Sequence, residues 1–177
     1  MPRRARSTQL VAAALCVAFV VAACNSDDTV ATDGVGSADA IAAVVAWQAR
    51  EQEPVRGDNG EEQLPVIFVV AVDGTTIDVG VQADVTAATI DWATVRFADQ
   101  VADTFDSGLD GEPVRSDGSM LLIGPMPDPA NSIELGLVRY YAVDDGESFT
   151  LQITSDTTTA DTDNSTPRAS VTAVTQP

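Results

Sequence analysis

"TIDVGVQADVTAAT" (Thr76–Thr89) decides the fold, because it carries two periodicities at once. From Ile77 to Val85 apolar residues occupy every second position, the pattern of a half-buried strand. The same segment places Ile77, Val81, Val85 and Ala88 on one helical face, with Thr75 or Thr76 offering an N-cap and Asp78 in the first turn. Gly80 weakens a helix and Asp84 suits neither choice. The flanks tip the balance. "VIFVVAV" (Val66–Val72) is a continuous β-branched and apolar run, hence a strand buried on both faces, and "ATVRFAD" (Ala93–Asp99) is a second strand. A helix between two apolar strands makes a βαβ unit. The helical reading gives an α+β two-layer sandwich with about five mostly antiparallel strands and two or three helices. The strand reading would give a mostly-β sandwich instead.

Outward from this centre, "SADAIAAVVAWQAREQE" (Ser37–Glu53) reads as a helix. Ser37 or Asp39 can cap it, Ile41, Val44, Val45 and Gln48 follow helical spacing, and Pro54 ends it. "EPVRGDNGEEQLP" is a turn-rich link, and "QVADTFDS" suits a short helix. "SMLLIGPM" (Ser119–Met126) is a strand leading into the Pro-rich loop "PMPDPA". "IELGLVRYYAV" and "ESFTLQIT" form a hairpin turned at Asp144-Asp145-Gly146. The expected organisation is a segment 1–23, a linker 24–37, one globular domain 38–155 and a disordered Thr-, Asp- and Ser-rich tail 156–177.

The 177 residues contain 27 acidic side chains and nine basic ones, all arginine, with no lysine and no histidine. The absences exclude whole chemistries. No Ser-His-Asp triad, Cys-His pair, Ser-Lys dyad or Schiff-base lysine can be assembled. No His- or Cys-type zinc site and no Walker loop can be built, and no G-x-G-x-x-G occurs. Carboxylates, hydroxyls and arginines remain. So acidic a chain repels phosphate backbones, and nucleic acid is not an expected partner.

At the N-terminus, Arg3, Arg4 and Arg6 precede an apolar run, Leu10–Ala23, that is shorter than the roughly 20 residues a membrane-spanning helix needs. It ends in Val21-Ala22-Ala23-Cys24 and then turns acidic. Basic flank, short apolar run and small-residue site read as a secretory signal. An aliphatic residue and two small ones before cysteine resemble the lipobox of bacterial lipoprotein precursors. The resemblance covers only about the first 24 residues. It implies cleavage between Ala23 and Cys24, a diacylglycerol on the Cys24 sulfur, and anchorage at the extracytoplasmic face of the cell membrane. Removing residues 1–23 would leave six arginines against 27 acids, a charge of −21. Acyl chains, worth about 0.8 kcal/mol per buried CH₂, would then hold a body that charge alone keeps off anionic lipid. Cys16 would leave with the signal, so no intramolecular disulfide is expected.

Candidate sites are few. "TFDSG" (Thr104–Gly108) matches the Asp-Ser-Gly of dimeric aspartic proteases, and "LLIG" (Leu121–Gly124) mimics their downstream element. The spacing between the two is too short, so Asp106 reads as a turn-former. Asp-Gly pairs at 33, 73, 110, 117 and 145 mark turns, and "DTDNST" (Asp161–Thr166) lacks the Gly and Glu of a calcium-binding loop. Trp47, Trp92, Tyr140 and Tyr141 suit core packing better than a ligand groove, with the adjacent tyrosines on opposite sheet faces. Arg96 and Arg139, mid-strand, are expected to pair with carboxylates. No catalytic, cofactor or metal residue is assigned. The expectation is a tethered, non-enzymatic binding or envelope-associated module that meets a protein or cell-wall polymer. The alternatives are a cation- or solute-binding lipoprotein and a hydrolase built on two carboxylates converging in a cleft.

Overall fold

The computed structural model describes residues 34–52, 55–56, 60–156 and 168–176. The elements in chain order are helix α1 (Ser37–Glu51), short strands β1 (Val55–Arg56) and β2 (Glu62–Gln63), β3 (Val66–Ala71), helix α2 (Val79–Thr89), β4 (Thr94–Phe97), two 3₁₀ turns at Val101–Thr104 and Arg115–Asp117, β5 (Ser119–Ile123), β6 (Ser132–Tyr140), β7 (Gly146–Ser155) and β8 (Ala169–Thr175). Strands β4-β3-β5-β6-β7-β8 form one open six-stranded sheet in that order, and β1 and β2 pair separately inside the turn-rich link. β3 runs parallel to both β4 and β5, and the other three pairings of the large sheet are antiparallel. The chain is an α+β fold.

The segment 76–89 folds as the helical reading requires, starting at Val79. Its N-cap is Asp78, not a threonine, and the Asp78 carboxylate accepts the Gly80 backbone N–H at 2.8 Å. Val85 is fully buried, with Ile77 and Val81 packed beside it. A strand would have turned alternate residues to the same core. The helix wins because its stripe meets α1 and the sheet together, while Gly80 and Asp84 stay in the outer part of the helix surface.

The two helices cover one face of the sheet. Ile41, Val44 and Val45 of α1 and Val85 of α2 close over Ile67, Val69, Leu121, Leu135, Leu151 and Ile153. The opposite face is covered over β3, β5 and the Tyr140 end of β6, where Phe105 and Val114 from the β4–β5 connection bury Phe68, Val70 and Met120. The connection β3–α2–β4 therefore lies on one face and the connection from β4 to β5 on the other. Within "VIFVVAV", Ile67–Val70 are buried on both sides, as the apolar run implies, while Val72 lies past the strand and is exposed.

Two boundaries differ from expectation. Strand β8 occupies part of the segment assigned to a disordered tail. It pairs with β7 from Ser155↔Ala169 to Thr150↔Thr175, with a register shift between Gln152 and Ile153. Composition misleads here. Thr and Val are strand formers, and burying Ala169 and half-burying Val171 against α1 offsets the cost of ordering the segment. At the other end, Val35 falls within the expected linker 24–37, yet it is 2% exposed and bridges Ala130. The domain thus reaches beyond 38–155 in both directions. Residues 1–33 and the acidic stretch Asp161–Thr166 lie outside the described residues.

Candidate functional site

Two concavities flank the contact between α1 and α2. The first lies at the carboxyl ends of β3 and β5. The chain leaving β3 goes through α2 to β4 on one side, and the chain leaving β5 goes to β6 on the other, so the connections part at the paired ends of β3 and β5, the place where open α/β sheets hold ligands. The crevice measures about 260 Å³. Ile41, Ile77, Val81, Ile123 and Met126 form apolar walls, and Ser37, Asp73 and Thr75 stand at the rim. Gly124 follows β5 with its N–H on the Gly136 carbonyl at 2.8 Å, and a Cβ there would sit 2.8 Å from that same oxygen, so only glycine fits. Gly74, at φ +69°, allows the turn that carries Asp73 to the rim. The Thr75 hydroxyl and then its N–H donate to the Asp73 carboxylate at 2.7 and 3.0 Å and hold its pKa below the ordinary value. Asp73 is thus ionised and fixed in orientation.

The second concavity, about 310 Å³, lies on the other side of the helix pair. Asp39 from the first turn of α1, Asp84 from α2 and Arg168 at the start of β8 line it, above a floor of alanines. Burial pushes the Asp39 carboxyl up, Arg168 and the Gly36 N–H pull it partly back, and Asp84 adds a smaller upward push. The sequence offered Asp39 as an N-cap. The cap position is Gly36, and Asp39 reaches back to that residue's N–H from the third helical position, as half of a capping box does. No motif links residues 39, 84 and 168, and sequence reasoning missed the cluster. What could have signalled it is the small-residue surface of both helices, which leaves room between them.

A third polar group is internal. Gln48, with no exposed surface, donates to Ser119 Oγ and to the Tyr141 hydroxyl, both at 3.2 Å, and accepts from an Arg139 Nη at 3.4 Å. Arg139 pairs with Glu147, directly opposite it across the β6–β7 hairpin, and its guanidinium lies 4.8 Å from Phe149, 5.3 Å from Tyr141 and 5.8 Å from Trp47. This network locks α1 to β5, β6 and β7. Apart from the buried Arg139 Nε, which has no hydrogen-bond partner, its polar groups are turned inward on one another, and it serves as scaffold.

The remaining candidates separate. Asp106 is exposed and accepts the Gly108 N–H in a turn, far in role from any shared-proton pair. Arg96 was expected to meet a carboxylate. Instead it lies over the Phe68 ring at 5.7 Å, because Phe68 is its register partner on β3. Tyr140 packs edge-on to Phe105 while Tyr141 turns to Gln48, so the two do face opposite sides, each half-buried. Trp47 meets Phe149 edge-on at 5.5 Å, and Trp92 carries Arg50 at 4.8 Å. Among the described residues no three Cys, Asp or Glu gather as a metal cluster, and no helix is long and apolar enough to cross a membrane. Ala23 and Cys24 lie outside the described residues. The chain matches no protein-family model, no curated protein and no solved structure with which it was compared.

Proposed function

We propose that the chain is an extracytoplasmic lipoprotein, held at the cell membrane by acyl chains on Cys24, whose globular part is a non-enzymatic binding module. The crevice at the ends of β3 and β5 carries the binding reading. Its walls are apolar, its rim is polar, and at about 260 Å³ it is just below the size of pockets that enclose whole drug-sized ligands, about 300–1,000 Å³. It suits an apolar group of side-chain size presented by a protein or a cell-wall polymer. A neutral naphthylamine dye should gain fluorescence on entering it, and Met126→Trp or Val81→Trp should abolish the gain. A gain unaffected by both substitutions would rule this crevice out. The lipid anchor rests on Val21-Ala22-Ala23-Cys24. In cells, Cys24→Ala should leave an uncut precursor that incorporates no labelled fatty acid.

One observation favours a rival, a carboxylate-dependent hydrolase: Asp39 and Asp84 line one cleft, and the Asp39 carboxyl is raised. Chromogenic glycosides and esters decide between the two. Turnover that disappears in Asp39→Asn would establish hydrolysis, and the binding reading expects none.

A further inference from the structure

The cleft between α1 and α2 holds unlike charges apart. Arg168 shares it with Asp39 and Asp84, yet no ion pair within 4.0 Å joins Arg168 to either carboxylate. Other arginines are engaged: Arg139 closes on Glu147, Arg50 lies on Trp92, and Arg115 donates to the Phe105 carbonyl at 2.9 Å. Ala42, Ala87 and Ala88 offer only methyl groups, so polar recognition in the cleft falls to the three charged side chains. Asp39 is half-buried, and its carboxylate has given up part of its hydration. The upward shift of its pKa shows that Arg168 and the Gly36 N–H only partly compensate for that loss. A hydrogen-bonding cation would complete the compensation. The Arg168 guanidinium, which acts on Asp39 across the cavity without closing an ion pair, offers a planar fork for a carboxylate.

We propose that this cleft binds a small zwitterion of α-amino-acid type, its ammonium group between Asp39 and Asp84 and its carboxylate on Arg168. The volume of about 310 Å³ accommodates a ligand of that size. The cleft shares no lining residue with the strand-end crevice, so the two sites stand or fall separately.

The test is an NMR titration of the mature chain with glycine and L-alanine, set against ethylamine and acetate, each of which carries half of the recognition. The amino acids should bind at least about tenfold more tightly than either half-ligand, with shifts centred on residues 39, 84 and 168. Arg168→Gln should bring glycine down to the affinity of ethylamine, and Asp39→Asn or Asp84→Asn should each weaken glycine about tenfold or more. Ethylamine binding as tightly as glycine would reveal a plain cation site and overturn the proposal. So would the absence of a saturable shift up to about 20 mM amino acid, or unchanged glycine affinity in Arg168→Gln. Arg168 is exposed, so its substitution leaves the fold intact even if Asp39→Asn does not. Naphthylamine binding at the crevice reports folding independently.

Discussion

The parallel and antiparallel halves of the sheet solve the same problem differently. In β3 and β5 both faces are covered, and the strands are apolar almost throughout. In β6 and β7, beyond the Tyr140 end of β6, only the helix face is covered, and buried and exposed residues alternate. One row across the far face shows the transition. Val70, Leu122, Val138 and Ser148 lie side by side in register, and exposure rises along the row from buried through half-buried to exposed. The cause is connectivity. Parallel neighbours require crossovers, crossovers run over the faces, and here they cover both sides of β3. A hairpin needs no crossover and leaves its outer face to water.

This contrast can be broken at its two ends. Val70→Asp and Ser148→Asp place the same carboxylate in the same row. The first buries an unpaired charge against Phe105 and Val114 and should cost about 4 kcal/mol or more. The second should stay within about 1 kcal/mol. Similar losses in urea unfolding would mean the far face is covered uniformly. Next in size is the bridge between the halves. Gln48→Ala removes the donor shared by Ser119 on β5 and Tyr141 after β6, and should cost about 2 kcal/mol with no change in m-value. Asp78→Ala strips the N-cap from the parallel half's crossover helix and should cost about 1 kcal/mol. Thermal melts would detect that as a shift of a few degrees.

The smallest effect is pH-dependent and belongs to the helix layer. The folded-state pKa of Asp39 is raised, so the native chain binds the proton more tightly than the unfolded chain does. Stability is therefore lost as pH rises from the ordinary carboxylate value through the folded value, and the deficit persists above it. Asp39→Asn should match or slightly exceed the native chain in stability at neutral pH, and the two should converge below about pH 4. A difference that grows on acidification would contradict the assigned cause.

Much of this arrangement is legible in the sequence, and the exceptions have physical reasons. "VIFVVAV" announces a doubly covered strand because successive side chains, Ile67 to Val70, each need an apolar neighbour. The helix at Val79–Thr89 is legible because Ile77, Val81 and Val85 must reach one core. The Arg139–Glu147 pair follows from hairpin register. Strand β8 is hidden by its neighbours: the polar "TTTADTDNSTP" before it masks an alternation in which Ala169 and Val171 face inward. Capping was misjudged at both helices by a residue or more, since several Ser, Thr and Asp compete for one role and only the local backbone selects among them. The charged cleft could not be read at all. Its three side chains come from three elements, and their convergence depends on how closely two alanine-rich helix surfaces approach.

The contact between α1 and β8 has a consequence for the order of assembly. Trp47 and Ala43 of the first helix line the same small cavity as Ala169 and Val171 of the last strand. Such contacts close long loops and slow folding. Until β8 joins the sheet, α1 can pack on α2 and the earlier strands, but Ala43 and Trp47 lack their neighbours Ala169 and Val171. This part of the core is therefore complete only when the first helix and the last strand of the described domain have met.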